Sequence, residues 1–201
     1  MARSPDPMAA AVLDAASVSR GHFRYESGHH GDLWLDLDSL LADARRTRDW
    51  AAALARQAAA SRPELVCGPL TGGAFLAQLV AVEVGAGFVF AERVVPEDGS
   101  VCYRIASSLR ETLRGRRVLL VDDAVNAGSA LLSTLTDLLR CGAEPAGFAC
   151  LLTLGEAASR IAEQHAAPLF RLAALERRMW QPQDCPLCAA GTPLIDRFAS
   201  A

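Results

Sequence analysis

The chain has 201 residues, 51% of them hydrophobic, and a formal net charge of −3. That is enough apolar material for one well-buried domain, and the charge balance excludes both a disordered chain and the basic face that nucleic acid requires. All 20 basic residues are arginine, which excludes a Schiff-base or general-base lysine and leaves Arg and His as the cations available to any chemistry.

The opening segment MARSPDPMAAAVLDAAS holds Pro5, Asp6 and Pro7 where a secretory leader would carry a basic run and then an apolar one. A cytoplasmic protein is therefore expected, with its six cysteines, at 67, 102, 141, 150, 185 and 188, as reduced thiols. Asp6 before Pro7 is an N-cap and first-turn pair, predicting a helix to about Ser17. Residues 22–26 and 33–38 read as short strands, the second alternating Leu33, Leu35 and Leu37 with Trp34, Asp36 and Asp38. An Ala- and Arg-rich helix runs from Asp43 to about Ser61 and stops before Pro63.

From there strands and helices alternate. A strand at 64–67 leads through GPLTGG into a helix at 73–84, and a strand follows at 88–92. This most apolar window, 72–91, is interrupted by Gln78, Glu83, Gly85 and Gly87, so it reads as a buried helix and strand and no membrane association is expected. Residues 94–108 lack periodicity and read as a mobile loop with room for a small hairpin. A strand at 117–121, a helix at 129–140 closed by Gly142, a strand at 146–153, a helix at 156–164 and a strand at 169–173 complete the pattern. Such alternation predicts an α/β domain with a parallel sheet flanked by helices on both faces, ligands binding beyond the carboxyl ends of the strands. A single domain over 1–201 is expected: a hood segment at 1–40, an α/β core at 41–175 and a Cys-containing tail at 176–201.

The most informative stretch is RVLLVDDAVNAGSA, residues 117–130. A buried strand ends in two carboxylates, Asp122 and Asp123, and turns through Gly128 into a helix. Backbone N–H groups at a helix start face an anion, and the helix dipole favours it. The acids can take ribose hydroxyls, directly or through a divalent metal. Together these point to a phosphorylated ribose as ligand; the plainer reading of the acids is that they end a strand and cap a helix.

VLLVDDAVNAGSA resembles the phosphoribosyl-pyrophosphate (PRPP) motif of type I phosphoribosyltransferases. GHFRYESGHHGDLWLDLD at 21–38, VCGPLTGGAFLA at 66–77 and FVFAER at 88–93 narrow the resemblance to the orotate phosphoribosyltransferases: they look like the family's N-terminal base-binding segment, its pyrophosphate loop and the strand before its catalytic loop. The resemblance implies a Mg²⁺-dependent transfer of 5-phosphoribose from PRPP to a nucleobase in pyrimidine nucleotide synthesis, by a homodimer. It places Asp122 and Asp123 on the ribose hydroxyls with the metal nearby. It wraps the 5′-phosphate in Asn126, Ala127, Gly128, Ser129 and Ala130, and the pyrophosphate in Leu70, Thr71, Gly72 and Gly73. It gives Arg93 to the pyrophosphate and Arg104 to catalysis in place of the family's loop lysine, and it sets Ser27, Gly28, His30 and Trp34 against the base.

This sequence departs from that family in two further places. The phosphate loop carries fewer hydroxyls than the family's, Ser129 and the Asn126 amide standing in. The strand where the family places an Asp-Arg pair reads Leu152-Thr153-Leu154-Gly155-Glu156, so either a cation for an anionic base comes from His29, His30 or an Arg elsewhere, or the base is a different or uncharged one. These departures keep open a non-catalytic module that binds PRPP or a nucleotide and regulates a partner. In the tail, Cys185-Pro-Leu-Cys188 supplies two thiolates, whereas a structural Zn²⁺ wants four ligands. His165, Cys141 or a second subunit would have to complete such a site; otherwise the motif is a tight turn packing the tail on the body.

Overall fold

The structure, a computed structural model, describes residues 6–25, 28–37, 39–97 and 99–196. The Asp6 carboxylate accepts the Met8 amide at 3.0 Å and caps helix α1, Pro7–Ala15. Asp43 does the same for Arg45 and Arg46 at the start of α2, Ala44–Ala58. Both caps satisfy amides that helix geometry leaves without partners.

The central sheet has six strands: β3 (Leu65–Pro69), β4 (Gly87–Val94), β5 (Cys102–Ile105), β6 (Arg117–Val125), β7 (Glu144–Leu154) and β8 (Leu169–Leu175). Their spatial order is β5-β4-β3-β6-β7-β8, parallel throughout except for β5, which pairs antiparallel with β4. Period-two alternation divides the core. Leu119, Val121, Ala149 and Leu151 face one side, under α1, α2 and α3 (Gly72–Val84). Val118, Leu120, Phe148 and Cys150 face the other, under α4 (Ser129–Arg140) and α5 (Ala157–Gln164). Among the described residues, no helix is long and apolar enough to cross a membrane.

The structure differs from the sequence reading in several places. The hood strands expected at 22–26 and 33–38 form at Ser19–Arg24 and His30–Trp34. Strand β6 runs on through the acids to Val125, because its ladder with β7 continues through Asp122–Cys150, Ala124–Leu152 and Val125–Thr153. And the segment after residue 175 does more than trail. A hairpin of β1 (Ser19–Arg24) and β2 (His30–Trp34) gains a third strand, β9 (Met179–Trp180), on β2. The short helix α6 (Pro186–Ala189) follows, and residues beyond it return along β1 through a Phe23–Ile195 bridge. A two-residue strand leaves no readable alternation, so the hood's third member was not legible in the pattern.

Candidate active site

Neighbouring strands β3 and β6 send their following connections in opposite directions across the sheet, β3 toward β4 and β6 toward β7. The crevice at such a reversal is where open α/β sheets bind ligands. Two loops meet there. The β3–α3 loop carries Leu70 and Thr71 into the helix start at Gly72 and Gly73, and the Leu70 amide is anchored on the Ala91 carbonyl at 2.9 Å. The β6–α4 loop carries Asn126, Ala127 and Gly128 into Ser129, Gly128 adopting the left-handed backbone (φ 79°) that lets the strand turn into the helix.

The glycines of the first loop lie directly against the acids of β6. A β-carbon on Gly72 would overlap the Asp123 carboxylate, and one on Gly73 would come within 2.6 Å of Asp122 Oδ1. Only glycine permits this approach, which sets the first amides of α3 beside both carboxylates. Asp122 Oδ1 accepts the Asp123 amide at 3.1 Å, and Asp123 Oδ1 accepts the Ala124 amide at 2.7 Å. Asp122 is buried and Asp123 partly exposed. Burial, and then the neighbouring Asp123, push the Asp122 carboxyl well above the ordinary carboxylate range.

On β4 and β5, Arg93 pairs across the strands with Tyr103. The Tyr103 phenol is raised by burial and by Asp122, lowered by Arg93 and raised by Asp123, so these four groups share one electrostatic environment. Arg104 does not join them. Successive strand residues face opposite ways, and the Arg104 guanidinium sits 3.0 Å from buried Asp137 on α4, where Arg110 also binds at 2.7 Å. Arg104, expected as the catalytic cation, thus sits in an ion pair on the α4 side of the sheet, apart from Arg93, Tyr103 and the two acids.

Beside the β6–α4 loop lies a cleft of about 730 Å³ lined by Asn126, Ala127 and Ser129 on one wall and by Tyr25, His29, Trp34, Leu35, Arg177 and Met179 on the hood side, with Leu154 also lining it. Trp34 is half-buried and packs against Phe23, with ring centroids 5.9 Å apart. Gly28 forms the hairpin turn, its amide on the Tyr25 carbonyl at 2.9 Å, outside the cleft lining. Ser27 lies outside the described residues. His30, expected at the base, instead points into the hood, 3.1 Å from His22 and 3.2 Å from Cys188. The cause is register: His30 sits opposite Arg24 on β1 with its side chain on the buried face.

Sequence reasoning missed Arg177 and Tyr25. The Tyr25 hydroxyl donates to the Leu33 carbonyl, and the Arg177 guanidinium lies 5.0 Å from the Tyr25 ring centroid. Burial holds Arg177 below the ordinary arginine range, while Tyr25 and Asp32 raise it. Among the described residues no carboxylate forms an ion pair with it, so a positive charge is presented to the cleft. The only signal available was the ERR run at 176–178, in a segment without periodicity.

Known proteins resemble this chain in sequence and in fold. Residues 34–170 match the family model described as a phosphoribosyl transferase domain. The orotate phosphoribosyltransferase of Campylobacter curvus is 30% identical over 193 residues, covering 90% of this chain and 93% of its own. That of Nitratiruptor sp. is 28% identical over the same length, with the same coverage. Among solved structures, orotate phosphoribosyltransferase from Aeropyrum pernix superposes with a TM-score of 0.65 at 21% identity, covering 84% of this chain and 93% of that one. Adenine phosphoribosyltransferase from Rhodothermus marinus gives 0.65 at 20% identity, covering 84% and 98%.

Proposed function

Because the chain belongs to the phosphoribosyltransferase family, we propose that it transfers 5-phosphoribose from PRPP to orotate, acting as a cytoplasmic homodimer. The observation that carries the orotate assignment is Arg177. The cleft that holds the phosphate loop also holds a half-buried guanidinium against Tyr25, and orotate is the nucleobase that brings a carboxylate for it.

In this reading the first-turn amides of α4, with Asn126 and Ser129, bind the 5′-phosphate. Asp122 and Asp123 accept hydrogen bonds from the ribose hydroxyls. The amides at Thr71, Gly72 and Gly73 hold the pyrophosphate, and Arg93 and Tyr103 face it from β4 and β5. Trp34 and Tyr25 flank the base, and Arg177 binds its carboxylate. A ring nitrogen of the base attacks C1 of the ribose. The bond from C1 to the pyrophosphate oxygen breaks with its electron pair on that oxygen, and the nitrogen's proton passes to water. Catalysis consists of holding the reactants in line and neutralising the leaving charge. The oxygen donors of Asp122 and Asp123 suit Mg²⁺, which when bound supplies further neutralisation of the pyrophosphate.

The test is the double substitution Asp122→Asn with Asp123→Asn. The reading expects lost turnover with the fold retained by circular dichroism; normal turnover would remove the acids from the site. One observation favours a second reading, a PRPP-binding regulatory module: two of the five phosphate-loop positions are alanine, Ala127 and Ala130. PRPP binding without pyrophosphate release from any base would favour that module.

A further inference from the structure

Four side chains that play no part in the cleft converge inside the hood. His22 (β1), His30 (β2), Cys185 and Cys188 place one ligand atom each within 4.8 Å of all the others. His22 Nε2 lies 3.1 Å from His30 Nδ1, 3.5 Å from Cys185 Sγ and 3.7 Å from Cys188 Sγ, and His30 Nδ1 lies 3.2 Å from Cys188 Sγ. With the usual Zn–N and Zn–S bond lengths, the edges of a tetrahedron are about 3.3 Å for N–N, about 3.6 Å for N–S and about 3.8 Å for S–S. The observed N–N separation of 3.1 Å and N–S separations of 3.2, 3.5 and 3.7 Å lie within about 0.4 Å of those edges. His22, His30 and Cys185 are buried, while Cys188 is exposed and leaves an entry path.

The surrounding hydrogen bonds orient the donors. His22 Nδ1 lies 2.8 Å from the Thr192 carbonyl, which can only accept, so the ring proton sits on Nδ1 and the Nε2 lone pair points to the centre. The chain on either side of the Cys-Pro-Leu-Cys turn is fixed to the hood. Before it, β9 pairs with β2 at His30–Trp180. After it, the Ile195 amide donates to the His22 carbonyl at 2.7 Å, the Arg24 amide donates to the Ile195 carbonyl at 3.1 Å, and Arg24 binds Asp196 at 2.8 Å. The pairing strands of the hood therefore meet around these four atoms.

We propose that His22, His30, Cys185 and Cys188 form a structural Zn²⁺ site that locks the C-terminal segment onto the hood hairpin. Two thiolates and two neutral imidazoles in tetrahedral array select zinc among the common divalent ions. Binding displaces one proton from each thiol and leaves a site of zero net charge. The site closes the hood within one chain, with neither His165, Cys141 nor a second subunit supplying ligands. It also fixes the strand that begins two residues after Arg177, and so sets the hood wall of the cleft. The inference stands on the four ligands and not on the base assignment.

Elemental analysis of the purified full chain tests it. One zinc per chain is expected, and both Cys185→Ser and Cys188→Ser should lose it. Cobalt exchanged into the wild-type chain should give the intense visible bands of tetrahedral Co²⁺ with a thiolate charge-transfer band, a readout that does not depend on any variant folding. A His165→Ala, Cys141→Ser control should keep the metal. Folded wild-type chain that stays metal-free in excess zinc, with both tail thiols open to a thiol reagent, would overturn the site. So would an octahedral cobalt spectrum, or zinc retained by the Cys185→Ser, Cys188→Ser double variant.

Discussion

Arg177 lies with its guanidinium carbon 5.0 Å from the centre of the Tyr25 ring, on the wall of the cleft that the β6–α4 loop also lines. The ring and the cation come from opposite ends of the chain, and the pairing of β9 with β2 brings them together. If Arg177 binds the carboxylate of the base, Arg177→Ala should raise the KM for orotate by about 10- to 150-fold, the worth of a charged hydrogen bond of about 1.5–3 kcal/mol. The KM for PRPP should change little. Arg177→Lys should recover part of the loss, since it keeps charge but not the planar fork. Equal effects on both substrates would indicate a structural role instead.

Asp122 predicts a conflict between stability and function. Its carboxyl is raised in the folded state by burial and by Asp123, so between the unfolded and the folded values the folded chain binds a proton there that the unfolded chain releases. That contribution to stability is present below the unfolded value and is lost as pH rises through the raised folded value. Asp122→Asn keeps an oxygen that can accept the Asp123 amide while removing the charge. It should raise the Tm of the free protein at pH 8, by about 2–4 °C for each kcal/mol relieved, and lower PRPP turnover at the same time. An unchanged or lower Tm at pH 8 would argue against a strained carboxylate.

Arg104 should matter to stability before it matters to rate. Asp137 is almost fully buried, and although burial pushes its carboxyl up, Arg110, the Ile105 amide and Arg104 hold it below the ordinary range. The pair's contribution is therefore full above the unfolded carboxylate value and is lost as pH falls through the depressed one. Removing one partner of a buried ion pair costs up to about 3–5 kcal/mol. Arg104→Ala should fall short of that, because Arg110 remains. Its Tm deficit should shrink at acid pH, and kcat below the melting transition should be largely kept. A collapse of kcat with Tm unchanged would return Arg104 to the catalytic machinery.

If the β6–α4 loop binds the 5′-phosphate, it offers a gain of function. Ala127 lines the cleft and Ala130 sits in the first turn of α4. Ala127→Thr and Ala130→Ser would each add a hydroxyl toward the phosphate, and each recovered charge-assisted bond is worth about 1.5–3 kcal/mol. PRPP affinity, measured by calorimetry, should tighten about tenfold or more for each. No gain from either would place the 5′-phosphate elsewhere.

What was legible in the sequence follows from where the signals are local. The helix at 129–140 is bounded as read, because Gly128 and Gly142 punctuate it. The GPLTGG loop and the acid pair were visible as motifs, and the fold sets them side by side through the close approach of Gly72 and Gly73. Strand β6 was read too short because acids look like a strand end, whereas the ladder with β7 carries them inside. Arg104 stands in by elimination for the family's loop lysine, and strand alternation turns it toward Asp137. His30 is turned to the buried face by its hairpin register with Arg24, and Arg177 reaches the cleft only through the pairing of β9 with β2, which no local pattern encodes.

The most direct test of the account is pyrophosphate release from PRPP with Mg²⁺, compared across orotate, uracil and adenine on the same preparation. The account predicts turnover with orotate, at least tenfold weaker turnover with uracil, which lacks the carboxylate for Arg177, and none with adenine. Turnover with adenine or equally with uracil would contradict the orotate assignment, and no release from any base despite PRPP binding would contradict catalysis itself.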